Sequence, residues 1–235
     1  MILAIDTSTS VISIALFNTD VQAEHTWVAD QHHTTQLLPE IHQMLNRIGV
    51  KVDHLKGIAV ALGPGSFNGL RVGMSVAKGL CFSLGIPLAG IGTLSALAYQ
   101  YAYLHVPVRP ITDAGRGEFN TALYIMRDGE WTELEAPNVA DIAEIRSRIN
   151  ESTFICGDIR KEPVVHLRKD FGQQIAMPST AGALRRAGYL AELGTKKLHA
   201  GKADDPVSLQ PIYLRRPAIT KSRRTDALAV HRQED

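Results

Sequence analysis

Short apolar runs separated by polar clusters open the chain. Residues 2–7 are apolar up to Asp6. Residues 11–17 alternate, with Val11, Ser13, Ala15 and Phe17 on one face and Ile12, Ile14 and Leu16 on the other. Residues 21–28 make a third, more polar strand, and Ser8-Thr9-Ser10 and Asn18-Thr19-Asp20 supply the turns. The period then changes. Leu37, Leu38, Ile41, Leu45 and Ile48 recur at helical spacing and predict a helix over 36–48, with Pro39 near its start and Gly49 as its stop.

A buried strand over 56–62 leads into the loop Gly63-Pro64-Gly65-Ser66-Phe67-Asn68-Gly69, then a helix over 69–84. Glycine lets such a loop approach backbone or ligand closely. The following helix N-terminus offers a phosphate seat, although neither a Gly-Lys-Ser/Thr nor a G-x-G-x-x-G pattern is present. In the helix, Gly69, Gly73, Ala77, Cys81 and Gly85 fall on every fourth position and hence on one face. Interior glycines cost about 1 kcal/mol each relative to alanine. That small face either packs inside its own domain or admits a helix of another chain.

Beyond it the pattern predicts a strand over 86–91 and a helix over 93–104 with Thr93 as N-cap. Pro107 and Pro110 mark a boundary, giving lobes over 1–106 and 107–216. The second lobe is read as strands over 109–113, 118–126 and 131–135, a helix over 138–149, a strand over 153–156 and a helix over 181–200. The succession argues an α/β fold.

With 235 residues, 45% hydrophobic and 21% charged, the chain has the composition of an ordinary globular protein with room for a sizeable core. A net charge of +1 gives no global reason to bind nucleic acid. Two cysteines make no disulfide framework and suit a cytoplasmic setting. No leader pattern and no apolar run of about 18 residues is visible, so no membrane association is expected.

The stretch from Ala61 to Leu97 resembles the bacterial tRNA threonylcarbamoyladenosine biosynthesis proteins of the TsaB (YeaZ) family. Both TsaB and its catalytic relative TsaD carry a GPG loop, a small-residue helix and an I-P strand. The relative continues with a His-x-x-x-His metal pair. Aligned on Pro87, those positions are here Thr93 and Leu97, which cannot replace imidazole ligands. The resemblance implies an actin-like ATPase (ASKHA, ribonuclease H-like) two-lobe α/β fold. It implies a non-catalytic scaffold that activates a TsaD-like catalytic subunit, alongside a TsaE-like ATPase, in transferring threonylcarbamoyl to the adenosine beside the tRNA anticodon. ATP and Mg²⁺ would then sit on the partner subunits, with tRNA touched indirectly and a homodimer formed when the chain is alone. The expected partner interface is Leu38, Ile41, Leu45, Gly69, Val72, Gly73, Val76 and Ala77. An autonomous actin-like ATP-dependent kinase is the competing reading.

Candidate nucleotide or phosphate contacts are Asp6, Thr7, Ser8, Gly63 and Gly65. A carboxylate at a strand end suits Mg²⁺, and it equally suits a side-chain-capped turn. Asp113-Ala114-Gly115-Arg116-Gly117-Glu118-Phe119-Asn120 resembles the family's D-A-R-x-G-E-x-Y motif, departing at Gly115 and Asn120. Asp113, Arg116 and Glu118 are expected to pair with one another there. His32 and His33 lack metal-ligand spacing, and Ser66 lacks a G-x-S-x-G frame. Ile212-Tyr213-Leu214-Arg215 matches the family's closing Y-L-R, and the basic tail over 217–235 reads as a solvated, flexible end with contact to tRNA phosphate as its sharper alternative.

Overall fold

The computed structural model describes residues 1–30, 32–157 and 162–215. The basic tail lies outside them. Two five-stranded sheets carry the chain. The first comprises β1 (Ile2–Asp6), β2 (Val11–Phe17), β3 (Val21–Val28), β4 (Gly57–Gly63) and β5 (Leu88–Gly92), in the order β3-β2-β1-β4-β5. The second comprises β6 (Val108–Gly115), β7 (Glu118–Arg127), β8 (Glu130–Asp141), β9 (Thr153–Gly157) and β10 (Ile175–Ala176), in the order β8-β7-β6-β9-β10. In each sheet three strands run as an antiparallel meander and two more add in parallel beside the first. One topology is thus used twice, giving the two-lobe actin-like α/β fold.

The helices are α1 (His33–Arg47), α2 (Phe67–Leu84), α3 (Thr93–Tyr99), α4 (Ile142–Ser147), α5 (Glu162–Phe171) and α6 (Ala187–His199). They fill three layers around the sheets. The large side chains Leu3, Ile5, Ile58, Val60 and Leu62 meet α1 and α2 on one face of the first sheet. The intervening Ala4, Ala15, Ala59 and Ala61 meet α6 on the other. Small residues on that face let α6 come close; a Cβ on Gly194 would lie 2.4 Å from that of Ala59. Helix α3 packs Leu94, Leu97, Ala98 and the following Tyr101 on Val108, Ala122, Tyr124 and Cys156 of the second sheet, so α3 and α6 are held between the sheets. Helices α4 and α5 cover the outer face of the second sheet.

Residues 187–199, counted with the second lobe in the sequence reading, therefore belong by packing to the first. Arg186 and the Gly188 amide both bind Glu24 of β3, which fixes the start of α6 there. Residues 138–141, expected to be helical, continue β8 as partners of β7. Helix α4 starts later because Asp141 and Glu144 form a capping box, with Glu144 N donating to Asp141 Oδ1 at 2.8 Å and Asp141 N to Glu144 Oε2 at 3.0 Å. Helix α1 begins before the expected residue 36 and carries Pro39 inside it. Thr93 does not cap α3. Its hydroxyl instead accepts Gly63 N–H at 3.0 Å. Helix α5, with its short apolar face, was not foreseen.

Among the described residues Arg109 is the largest fully buried side chain, and its Nη2 donates to Glu135 Oε2 at 2.8 Å. Arg148 binds the other oxygen of Glu135. Burial raises the carboxyl pKa of Glu135, but hydrogen bonds from Arg109, Asn138 and Arg148 and the charge of Arg109 outweigh it and hold the group below its ordinary value. This contribution to stability is present above the ordinary carboxylate range and is lost as pH falls through the lower folded value. Glu135→Ala is expected to cost about 2–3 kcal/mol at pH 7, by leaving a buried guanidinium without its counter-charge. The gap from wild type in urea melts should narrow at pH 3. Gly194→Val should cost about 1–3 kcal/mol by pushing α6 off the alanine face, also read by urea melts.

Candidate functional site

The end of β1, the glycine loop before α2 and the turn between β6 and β7 face one another across a cleft of about 990 Å³ between the lobes. One wall is Ser8, Thr9 and Ser10 with Pro64 to Phe67. The other is residues 112–116 with Asn120, and Arg185 and residues 213–215 complete the lining.

The first wall is built by close approach. Ser66 N donates to Ser8 O at 2.7 Å, and a Cβ on Gly65 would lie 2.3 Å from that same oxygen. Gly69 would place a Cβ 2.1 Å from Thr7 O, and Gly73 one 2.2 Å from Thr7 Oγ1. Thr7 Oγ1 donates to Gly69 O at 2.7 Å. Helix α2 starts at Ser66, whose hydroxyl accepts Gly69 N–H at 3.2 Å, and ends at the left-handed Gly85. The small-residue stripe of α2 thus packs on β1 within its own lobe.

That placement corrects the expected partner interface. Gly69, Gly73 and Ala77 are buried against the first sheet, and Ile41 and Leu45 lie in the core beneath α1. All five are committed to packing inside this chain. Leu38 is 50% exposed, while Val72 and Val76 are half-buried and pack against the core shared with α1. The outward line of α2 is Arg71, Ser75, Gly79 and Phe82, all exposed. Sequence periodicity found the stripe but could not say which of two small faces looked outward. Gly79, off the four-residue register, was the missed signal; a Cβ there meets nothing within 4 Å.

The candidate phosphate contacts divide. Ser8 and Gly65 line the cleft. Thr7 and Gly63 are turned into packing, Gly63 holding φ +112° with its Cβ direction blocked by Ile212 O. Asp6 is buried, and its Oδ1 accepts both Ser8 N–H at 2.9 Å and Ser8 O–H at 2.6 Å. It closes a turn, as the plainer sequence reading had it.

In the second wall the expected Asp113–Arg116–Glu118 cluster is replaced. Glu118 pairs with Arg215, and Asp113 Oδ1 accepts Gly115 N–H at 3.0 Å. Arg116 sits at φ +60° on an exposed turn facing the cleft. Asn120, where the family pattern has Tyr, lies 3.4 Å from both Thr112 Oγ1 and Asp113 O. Residues 204–215 run as a strap along the first lobe. Asp204 N donates to Leu88 O at 2.8 Å, Ile212 N donates to Leu62 O at 2.7 Å, and Tyr213 packs its ring 5.2 Å from Phe67.

His33 starts α1 with Nε2 2.7 Å from Thr9 O, a packing role. Both cysteines are buried free thiols. Burial pushes Cys81 up to about 11 and raises Cys156 as well, so neither is a nucleophile near neutral pH.

A family model for TsaD, tRNA N6-adenosine threonylcarbamoyltransferase, matches residues 25–156, more than half of the chain. A protein of Escherichia coli, tRNA threonylcarbamoyladenosine biosynthesis protein TsaB, is 36% identical over 220 residues, covering 91% of this chain and 94% of its own. A protein of the same name from Bacillus subtilis is 32% identical over 218 residues, covering 91% and 93%. The chain belongs to the TsaB family. A solved structure of YeaZ from Pseudomonas aeruginosa superposes with a TM-score of 0.73 at 26% identity, over 90% of this chain and 99% of that one. Within the TsaB family frame, the positions aligned with the metal pair of the catalytic relative are filled by packing groups. Thr93 is 1% exposed and bonded to Gly63, and Leu97 is 4% exposed in the α3 core.

The two glycines of α2 separate packing from surface. Gly73→Leu is expected to cost at least about 2–3 kcal/mol, because the side chain has no room beside Thr7. Gly79→Leu should keep or gain up to about 1 kcal/mol from helix propensity alone. Thermal and urea melts of the two variants test this, and equal losses would contradict the packing described.

Proposed function

We propose that this chain works in tRNA threonylcarbamoyladenosine biosynthesis as a non-catalytic subunit that docks on a TsaD-like catalytic subunit. One observation carries the reading. At the two positions where the catalytic relative has its imidazole pair, a hydroxyl engaged by Gly63 and a buried isobutyl group stand instead. The names of the relatives support the process.

The docking surface is the outward side of α1 and α2. Leu38 and Phe82 present 50% and 62% of their surface to solvent. Gly79 leaves room for close approach of another helix backbone, with Val72 and Val76 half-buried alongside. Docking stabilises the working geometry of the catalytic subunit, which is a shift of population and not a chemical step by this chain. ATP and Mg²⁺ are bound by the TsaD-like and TsaE-like partners, and tRNA reaches the chain through them. Without its partner the same apolar face pairs two copies about a two-fold axis. The competing kinase reading needs Asp6 to hold a metal, and one of its two oxygens, Oδ1, already takes two donors from Ser8.

Size-exclusion chromatography with light scattering tests the proposal on the chain mixed with the TsaD homologue of its own organism. Wild type should form a heterodimer. Leu38→Asp combined with Phe82→Asp should weaken it by roughly 30-fold or more, at unchanged melting temperature. Absence of a wild-type complex with and without ATP, or an undiminished complex with the double variant, would refute the docking surface.

A further inference from the structure

The charges lining the interlobe cleft are mostly guanidinium groups. Arg116, Arg185 and Arg215 line it, with Asp113 as the acidic residue of the lining. Arg215 pairs with Glu118. Arg116 and Arg185 make no ion pair among the described residues. The hydrogen bond of Arg185 runs from Nη1 to Ser8 Oγ at 3.1 Å. Ser8 Oγ in turn donates to Asp6 Oδ1, so Asp6 orients the arginine through the serine. A guanidinium has five N–H donors, so most of those on Arg185 remain for a ligand. Arg185 arrives from the segment before α6 and Arg116 from the β6–β7 turn, which places cations on both sides of the same space.

We infer that the interlobe cleft binds a small phosphate-bearing anion, held directly by Arg116 and Arg185 and not through a metal ion. Planar guanidinium forks match phosphate oxygens in pairs. A cleft of about 990 Å³ is at the upper end of small-ligand sites and holds more than a bare phosphate. Metal-free binding follows from the same charges. Two cations without an ion pair among the described residues repel a divalent cation, and one of the two oxygens of the carboxylate at the end of β1, Oδ1, takes two donors from Ser8. Phe67 and Tyr213, their ring centroids 5.2 Å apart, form part of the same lining. This site is separate from the α1–α2 docking face and does not depend on it.

The test is calorimetric titration of the full chain with pyrophosphate in EDTA, repeated with excess Mg²⁺. Saturable binding in EDTA is expected. Arg116→Gln and Arg185→Gln should each weaken it roughly tenfold, while Arg127→Gln, at the exposed end of β7, should leave it unchanged. Arg116 lies on an exposed turn, so its variant keeps the test decisive if Arg185→Gln fails to fold. No saturable binding, binding indifferent to Arg116→Gln, or binding that requires Mg²⁺ overturns the inference.

Discussion

The contact between the end of β1 and the start of α2 has no slack. Gly65, Gly69 and Gly73 each stand where a Cβ would penetrate Thr7 or Ser8, and Thr7 Oγ1 and Ser8 O bond back to the loop and helix. Everything at the site inherits its position from that approach. It seats α2 on the first sheet, so the face carrying Ser75, Gly79 and Phe82 is the one left exposed. It also sets Ser8 beside Gly65 as a wall of the cleft, with Asp6 drawn under it. Two interior glycines weaken a helix by about 1 kcal/mol each. Here that cost is offset by burial of the helix against Leu3, Ile5 and Val60.

The rest of the molecule repeats a similar logic on a larger scale. Alternating strand residues give the first sheet a face of large aliphatics and a face of alanines. The large face holds α1 and α2 and the alanine face holds α6. Helix α3 covers the second sheet in the same middle layer. Trp131 of β8 donates to Ser95 of α3 at 3.0 Å and stacks on Tyr124, which ties α3 to the second sheet. The strap carrying Tyr213 and Arg215 lines the cleft.

Two surfaces with different chemistry result. The α1–α2 face exposes Leu38 and Phe82 among polar side chains. The cleft is lined by guanidinium groups and hydroxyls and suits an anion. Thr93, Leu97 and Asp6 are all engaged in packing or capping: Thr93 on Gly63, Leu97 in the α3 core, Asp6 on Ser8.

Local order was legible in the chain wherever one short-range signal acted alone. The three opening strands within residues 2–28, with their Ser8-Thr9-Ser10 and Asn18-Thr19-Asp20 turns, follow from period and backbone chemistry. The family, too, was legible, in the GPG loop and the missing imidazoles. Where two signals competed, tertiary contact decided. Residues 138–141 have helical spacing but lie opposite 118–121 of β7, so they pair as strand until Asp141 caps α4. The residues of α6 follow the second lobe in sequence, yet the alanine face of the first sheet accepts them at closer range. The small stripe of α2 specified a close neighbour without naming it, because periodicity gives a face and not a direction. Only the fold showed that the neighbour is Thr7 of the same chain, and that Arg116 and Arg185, 69 positions apart, look into one cleft.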